Sequence, residues 1–129
     1  MAPEAINTEA APSGRGNYSQ AIVAGDLVSC SGTVGLDAAT GAWPDGIEAQ
    51  TELALTNLAT VLKAAGSSME NCVKVTVFLT NGSHAAVVNE IYRRHMPDPP
   101  PARLAPVVSG FPVPRALISI DAIAIRDSR

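Results

Sequence analysis

Between Asp45 and Gly66 the chain carries one wide stripe of small apolar side chains. Ala54, Leu58, Val61 and Ala65 recur at helical spacing, and Leu55 and Leu62 widen the same face. Asp45 followed by Glu48 reads as a capping box at the start of this helix. Gly66 stands at the end, where left-handed backbone commonly stops a helix. A face so wide and so poor in bulky groups suits close packing on a sheet.

Flanking segments supply that sheet. Ala21-Ile22-Val23-Ala24 and Leu27-Val28-Ser29-Cys30-Ser31 enclose Gly25-Asp26, a hairpin signal. Val73, Val75, Val77 and Leu79 alternate with Lys74, Thr76, Phe78 and Thr80, so this strand has apolar residues on both faces. Asn81-Gly82 turns the chain, and Ser83 is the expected cap of a second helix. The stripe of that helix is Val88, Ile91, Tyr92 and His95, and Pro97 stops it. An extended segment after Arg103 and a β-branched strand from Leu117 to Ile125 close the chain. The expected order is ββαβαββ, an α/β two-layer sandwich with two helices on one face of a mixed sheet. Its other face is left needing a partner.

The 129 residues fit one domain, placed at 17–126 behind a partly mobile lead-in at 1–16. Apolar residues make up 47% of the chain but aromatic ones only 4%, so the core is built from Ala, Val, Leu and Ile. A net charge of −3 offers no basic patch for nucleic acid. No apolar run approaches the ~20 residues of a membrane span, and Met1 to Gly14 lacks the pattern of a secretory signal. Cys30 and Cys72 read as reduced, buried thiols of a cytoplasmic protein. They and the two histidines, His84 and His95, lack metal-ligand spacing, so no metal is expected. Nucleotide-phosphate and nucleophile-elbow motifs are missing too, so neither a nucleotide phosphate cradle nor an elbow serine is supported.

Few polar residues remain to build a small-molecule site: Tyr18, Ser31, Thr33, Asn89, Arg103 and Ser119. Arg103 carries the most information. It follows the rigid run Pro99-Pro100-Pro101 and opens an extended segment. A guanidinium held at the mouth of a strand can donate two parallel hydrogen bonds to a carboxylate. Gly32, directly after the second strand, permits close approach of another backbone or a ligand.

Several segments together resemble the reactive intermediate (enamine/imine) deaminase family. They are Asn17-Tyr18-Ser19-Gln20-Ala21, Val28-Ser29-Cys30-Ser31-Gly32, Ala49-Gln50-Thr51, Leu62 to Ser68, Val73 to Leu79, Val88-Asn89-Glu90-Ile91-Tyr92, Pro101-Ala102-Arg103 and Asp121-Ala122-Ile123-Ala124. The resemblance runs in order from about Asn17 to Arg126. It implies a chorismate-mutase-like fold and a homotrimer with clefts between subunits. It also implies cofactor-free hydrolysis of enamines and imines, such as 2-aminoacrylate and its tautomer, to a 2-oxo acid and ammonia. By the same resemblance Arg103 grips the substrate carboxylate, the backbone N–H of Ala105 also faces it, and Tyr18, Gly32 and Asn89 line the pocket.

The chain departs from the family pattern at three places. Ser119 stands where the deaminases commonly place a Glu able to orient or activate water, while Asp121 aligns with a second acidic position. Leu104 replaces the usual Ser or Thr after the Arg, which predicts a more apolar pocket. The stretch from Pro106 to Arg115, with Gly110, Pro112 and Pro114, is expected to reshape the segment after Arg103. These departures keep two other functions open: a specialised enzyme for a larger apolar carboxylate, and a non-catalytic ligand-binding trimer.

Overall fold

The computed structural model describes residues 2–127. Its strands are β1 (Glu4–Ile6), β2 (Ala21–Ala24), β3 (Leu27–Cys30), β4 (Thr33–Val34), β5 (Cys72–Leu79), β6 (Ala102–Leu104) and β7 (Ile118–Ile125). The helices are α1 (Gly46–Ala64) and α2 (Ala85–His95). The sheet runs β1-β2-β3-β7-β5-β6, with β4 also paired to β7. Only β5 and β6 run parallel; the other named pairs are antiparallel. This is the expected two-layer α/β sandwich, with β1 and β4 added to the expected order.

Strand alternation sorts the residues between two faces. Val28, Val75, Val77, Leu79, Ile118, Ile120, Ala122 and Ala124 are buried, and they pack with Ala54, Leu55, Leu58, Val61 and Leu62 of α1 and with Val88, Ile91 and Tyr92 of α2. The register places Ser119, Asp121, Ile123 and Ile125 on the opposite face, across from Phe78, Thr76, Lys74 and Leu27. No helix covers this open face. Ile22, Leu27, Val73, Ile123, Ile125 and Leu104 are all exposed.

The helix ends differ from expectation in their chemistry. Asp45 does sit at the N-cap of α1, but its side chain makes no capping bond. Gly66 (φ +80°) ends α1 as expected. Its N–H donates to the Lys63 carbonyl and that of Ser67 to the Leu62 carbonyl, the paired bonds of a Schellman motif. Ser83 is not the cap of α2. It lies in a 3₁₀ turn, Gly82–His84, where Asn81 Oδ1 accepts both its N–H and its hydroxyl, and His84 takes the N-cap position. The turn tightens the entry to α2, so the side-chain cap acts one element earlier.

The chain ahead of Asn17 is woven into the domain, so the structured part starts earlier than expected. β1 pairs with β2, and Ala11 is buried. Gln20 makes the tie: its Nε2 donates to the carbonyls of Thr8, Ala11 and Pro12, and its Oε1 accepts from the Thr8 N–H. A buried amide that meets several backbone groups at once can order a segment of modest hydrophobicity.

Candidate active site

Tyr18, Gly32 and Ser119 line one cavity of about 540 Å³. Tyr18 stands on a tight loop and is 53% exposed. Gly14 is needed beneath it, because a Cβ there would lie 2.2 Å from the Tyr18 carbonyl oxygen. Arg15 and Gly16 take the loop round with φ of +54° and +82°. Ser119 is nearly buried, and β4 brings Val34 opposite it. The neighbour at Gly32 is a side chain rather than another backbone: a Cβ on Gly32 would meet Ser119 Oγ at 2.8 Å.

Amides on α1 hold the cavity's frame. Asn57 Nδ2 donates to the carbonyls of Val34 and Leu36. Gln50 Nε2 donates to the Arg115 carbonyl, and its Oε1 accepts from the Leu117 N–H. The walls include Trp43, Phe111 and Val113, which sequence reasoning did not single out because they lie in irregular loops. The hydroxyls of Ser31 and Thr33 donate to the carbonyls of Ser19 and Ser31, so both serve the local backbone.

Arg103 lies elsewhere. It pairs with Val75, which faces the helices, so its side chain leaves the sheet on the helical side. There Nη1 donates to Asn89 Oδ1 at 2.8 Å, and the guanidinium carbon lies 4.9 Å from the centre of the Tyr92 ring. Asn89 and Tyr92 are three residues apart on α2, which brings them to one side of the helix. Ala105 follows β6 directly and is exposed. Leu104 pairs with Thr76 and points the other way from Arg103, onto the open face, so it does not make Arg103's surroundings more apolar. Pro106 interrupts the edge strand without displacing it. Its carbonyl accepts from the Leu79 N–H, and Val107 bridges Leu79 in the same register as Leu104 to Thr76.

One chain therefore keeps its candidate residues in two groups. Arg103 and Asn89 are on the helical face; Ser119 is on the open face, two strands away across β5. The sheet stands between them, so they converge only if different copies of the chain meet.

The thiols are poor nucleophiles. Burial, helped by Cys72 and Asp121, pushes Cys30 up to about 12, and burial pushes Cys72 up to about 11. Among the described residues no cluster of His, Cys, Asp and Glu is arranged to hold a metal ion, and no helix is long and apolar enough to cross a membrane.

A family model described as Endoribonuclease L-PSP matches residues 8–126. The chain belongs to this family. It is the reactive intermediate deaminase family that the sequence resembles. Reactive Intermediate Deaminase A of Arabidopsis thaliana, named as chloroplastic, is 42% identical over 94% of the chain, which spans 65% of that protein's length. A 2-iminobutanoate/2-iminopropanoate deaminase of Bos taurus is 37% identical, over 94% of the chain and 88% of the bovine protein. A crystal structure of E. coli TdcF with bound serine superposes with a TM-score of 0.89 at 32% identity, covering 96% of this chain and 99% of that one. The TdcF structure therefore shares this chain's fold.

Proposed function

We propose that this protein hydrolyses a reactive enamine or imine carboxylate to a 2-oxo acid and ammonia, in clefts between the copies of a homotrimer. The observation that carries the reading is the placement of Arg103. Its guanidinium is held by Asn89 and Tyr92, and no carboxylate among the described residues pairs with it. Asn89 takes one of its five N–H donors, leaving four for a ligand. The names of the Arabidopsis and bovine relatives and the serine bound to TdcF point to small amino-acid-like carboxylates.

In this scheme the copy supplying Arg103 binds the carboxylate, assisted by the Ala105 N–H. The neighbouring copy contributes Tyr18, Gly32 and Ser119. An enamine first takes a proton at carbon and gives one up from nitrogen, becoming its imine tautomer. Water then adds to the imine carbon, forming a C–O bond, while the nitrogen takes a proton. The hydroxyl proton of the resulting carbinolamine passes to its nitrogen, the C–N bond breaks as the C=O bond forms, and ammonia and the 2-oxo acid leave. The imine carbon is already electrophilic, so orientation and charge stabilisation supply most of the required effect. The Ser119 hydroxyl is a holder of water and far too weak a base to deprotonate it at neutral pH. Neither metal nor organic cofactor enters the scheme. The free thiols fit a reducing compartment, and we place the protein in the cytoplasm.

The test is a coupled assay in which a dehydratase releases 2-aminoacrylate. Addition of the protein is expected to speed pyruvate formation several-fold over the spontaneous rate. A rate unchanged at micromolar protein would overturn the reading.

The cavity favours a second reading of substrate size. Trp43, Phe111 and Val113 give it broad apolar walls, and Ser119 leaves it without the usual carboxylate. A substrate with a larger apolar side chain would fill such a space. Ser119→Glu is therefore expected to lower activity on a bulky imine while raising it on the imine of 2-aminoacrylate. A carboxylate can hold water and accept a proton, but its burial against an apolar substrate is unfavourable. The measurement is the ratio of the two activities, using imines generated by an amino-acid oxidase. An unchanged ratio would mean that Ser119 does not meet the substrate.

A further inference from the structure

We infer that Tyr92 is a positioning residue for substrate binding, acting through Arg103; the inference rests on the reading of Arg103 as the carboxylate receptor. The periodicity of α2 assigns Tyr92 to the core stripe with Val88 and Ile91, and it is indeed buried. That role alone does not account for its chemistry. Its hydroxyl is buried without a hydrogen-bond partner, a cost that an aliphatic side chain would avoid. Burial raises the hydroxyl's pKa, opposed by the Arg103 charge, so it stays protonated and neutral near pH 7. What Tyr92 offers and an aliphatic residue would not is a π face, and Arg103 lies over it.

The arrangement suits an anion receptor. An arginine on a short edge strand has many rotamers, and binding a ligand would have to freeze them. A carboxylate neighbour could hold the side chain still, but it would also neutralise the charge and occupy the fork. The described ion pairs do not include Arg103: Glu52 of α1 meets Arg94 and His95, and Glu90 of α2 meets Arg94. Asn89 and Tyr92 fix Arg103 with no negative charge. The ring covers one face of the guanidinium, and the amide takes one N–H at its edge. The remaining donors are pre-oriented, and the charge stays available to the ligand.

Tyr92 should therefore govern carboxylate affinity more than turnover. The probe is 2-oxobutanoate, titrated by NMR into the whole protein. Tyr92→Leu is expected to bind it about three- to thirty-fold more weakly and to raise KM by a similar factor, with kcat changed less. Tyr92→Phe, which keeps the ring, should recover most of that loss. In an Arg103→Ala background the Tyr92→Leu penalty should vanish. If the penalty persists there, Tyr92 acts through general packing and the inference fails. If Arg103→Ala weakens binding but Tyr92→Leu does not, the inference fails while the receptor stands. If Arg103→Ala binds like the unsubstituted protein, the receptor and the inference fall together. One measurement needs no Tyr92 variant: the side-chain protons of Arg103, assigned by their loss in Arg103→Lys, should show an upfield ring-current shift. Random-coil positions would overturn the inference however the variants fold.

Discussion

Arg103→Ala should leave a folded protein that binds 2-oxo acids at least ten- to a hundred-fold more weakly and has lost most of its catalytic rate. The side chain is exposed on an edge strand, and its polar contact within the chain is to Asn89, so truncation removes little of the core. A charge-assisted hydrogen bond contributes about 1.5–3 kcal/mol. A bidentate pair in a sheltered cleft lies at or above the top of that range. Arg103→Lys should rescue poorly, because an ammonium neither forks to a carboxylate nor lies flat on the Tyr92 ring. Isothermal calorimetry with the coupled assay checks both variants. Wild-type turnover in Arg103→Ala would show that the site is elsewhere.

Ile123→Glu is expected to break the assembly and the activity together. Ile123 is 39% exposed in the centre of the open face, flanked by Ser29 of β3 and Lys74 of β5. The isolated chain should tolerate the change well, since a Glu there gains an opposite charge across the strands. An interface should not, because each copy would have to desolvate a carboxylate at a cost of several kcal/mol. Light scattering should show the unsubstituted protein as a trimer at micromolar concentration and Ile123→Glu as a folded monomer. A trimer that survives the substitution would mean that another surface makes the contact.

The fold was legible wherever a residue's fate depends on its near neighbours. The α1 stripe, the Gly66 stop, the β2–β3 hairpin and the alternation of β5 all follow local periods. β1 and β4 escaped because they have three and two residues, too few to show a period, and exist only through β2 and β7. Asp45 and Ser83 mislead for a related reason. A capping residue can be read from sequence, but whether its side chain turns toward the free N–H groups depends on backbone geometry at the junction. The candidates Arg103, Asn89, Tyr18, Gly32 and Ser119 could be named from the sequence, with their roles implied by the family resemblance. Their division between two faces was not legible, since it requires the β5–β6 register. Tyr92 was legible only as a core residue: periodicity assigns a position one role, and this one has two. Trp43 and Phe111 come from loops without a repeating pattern, and nothing local marks them as cavity walls.

The separation of Arg103 from Ser119 by the sheet has a genetic consequence. If each site draws its anion receptor from one copy and its water-holding wall from the next, lesions in the two halves belong to different complementation groups. A chain lacking Arg103 and a chain with a damaged Tyr18–Gly32 wall are each inactive alone. Mixed at random in one trimer, they rebuild about a quarter of the sites with both halves intact. An organism carrying one of each would retain a working enzyme, whereas one carrying two copies of either would not. Damage within one wall, such as Gly32 and Ser119 altered on separate copies, would find no such relief.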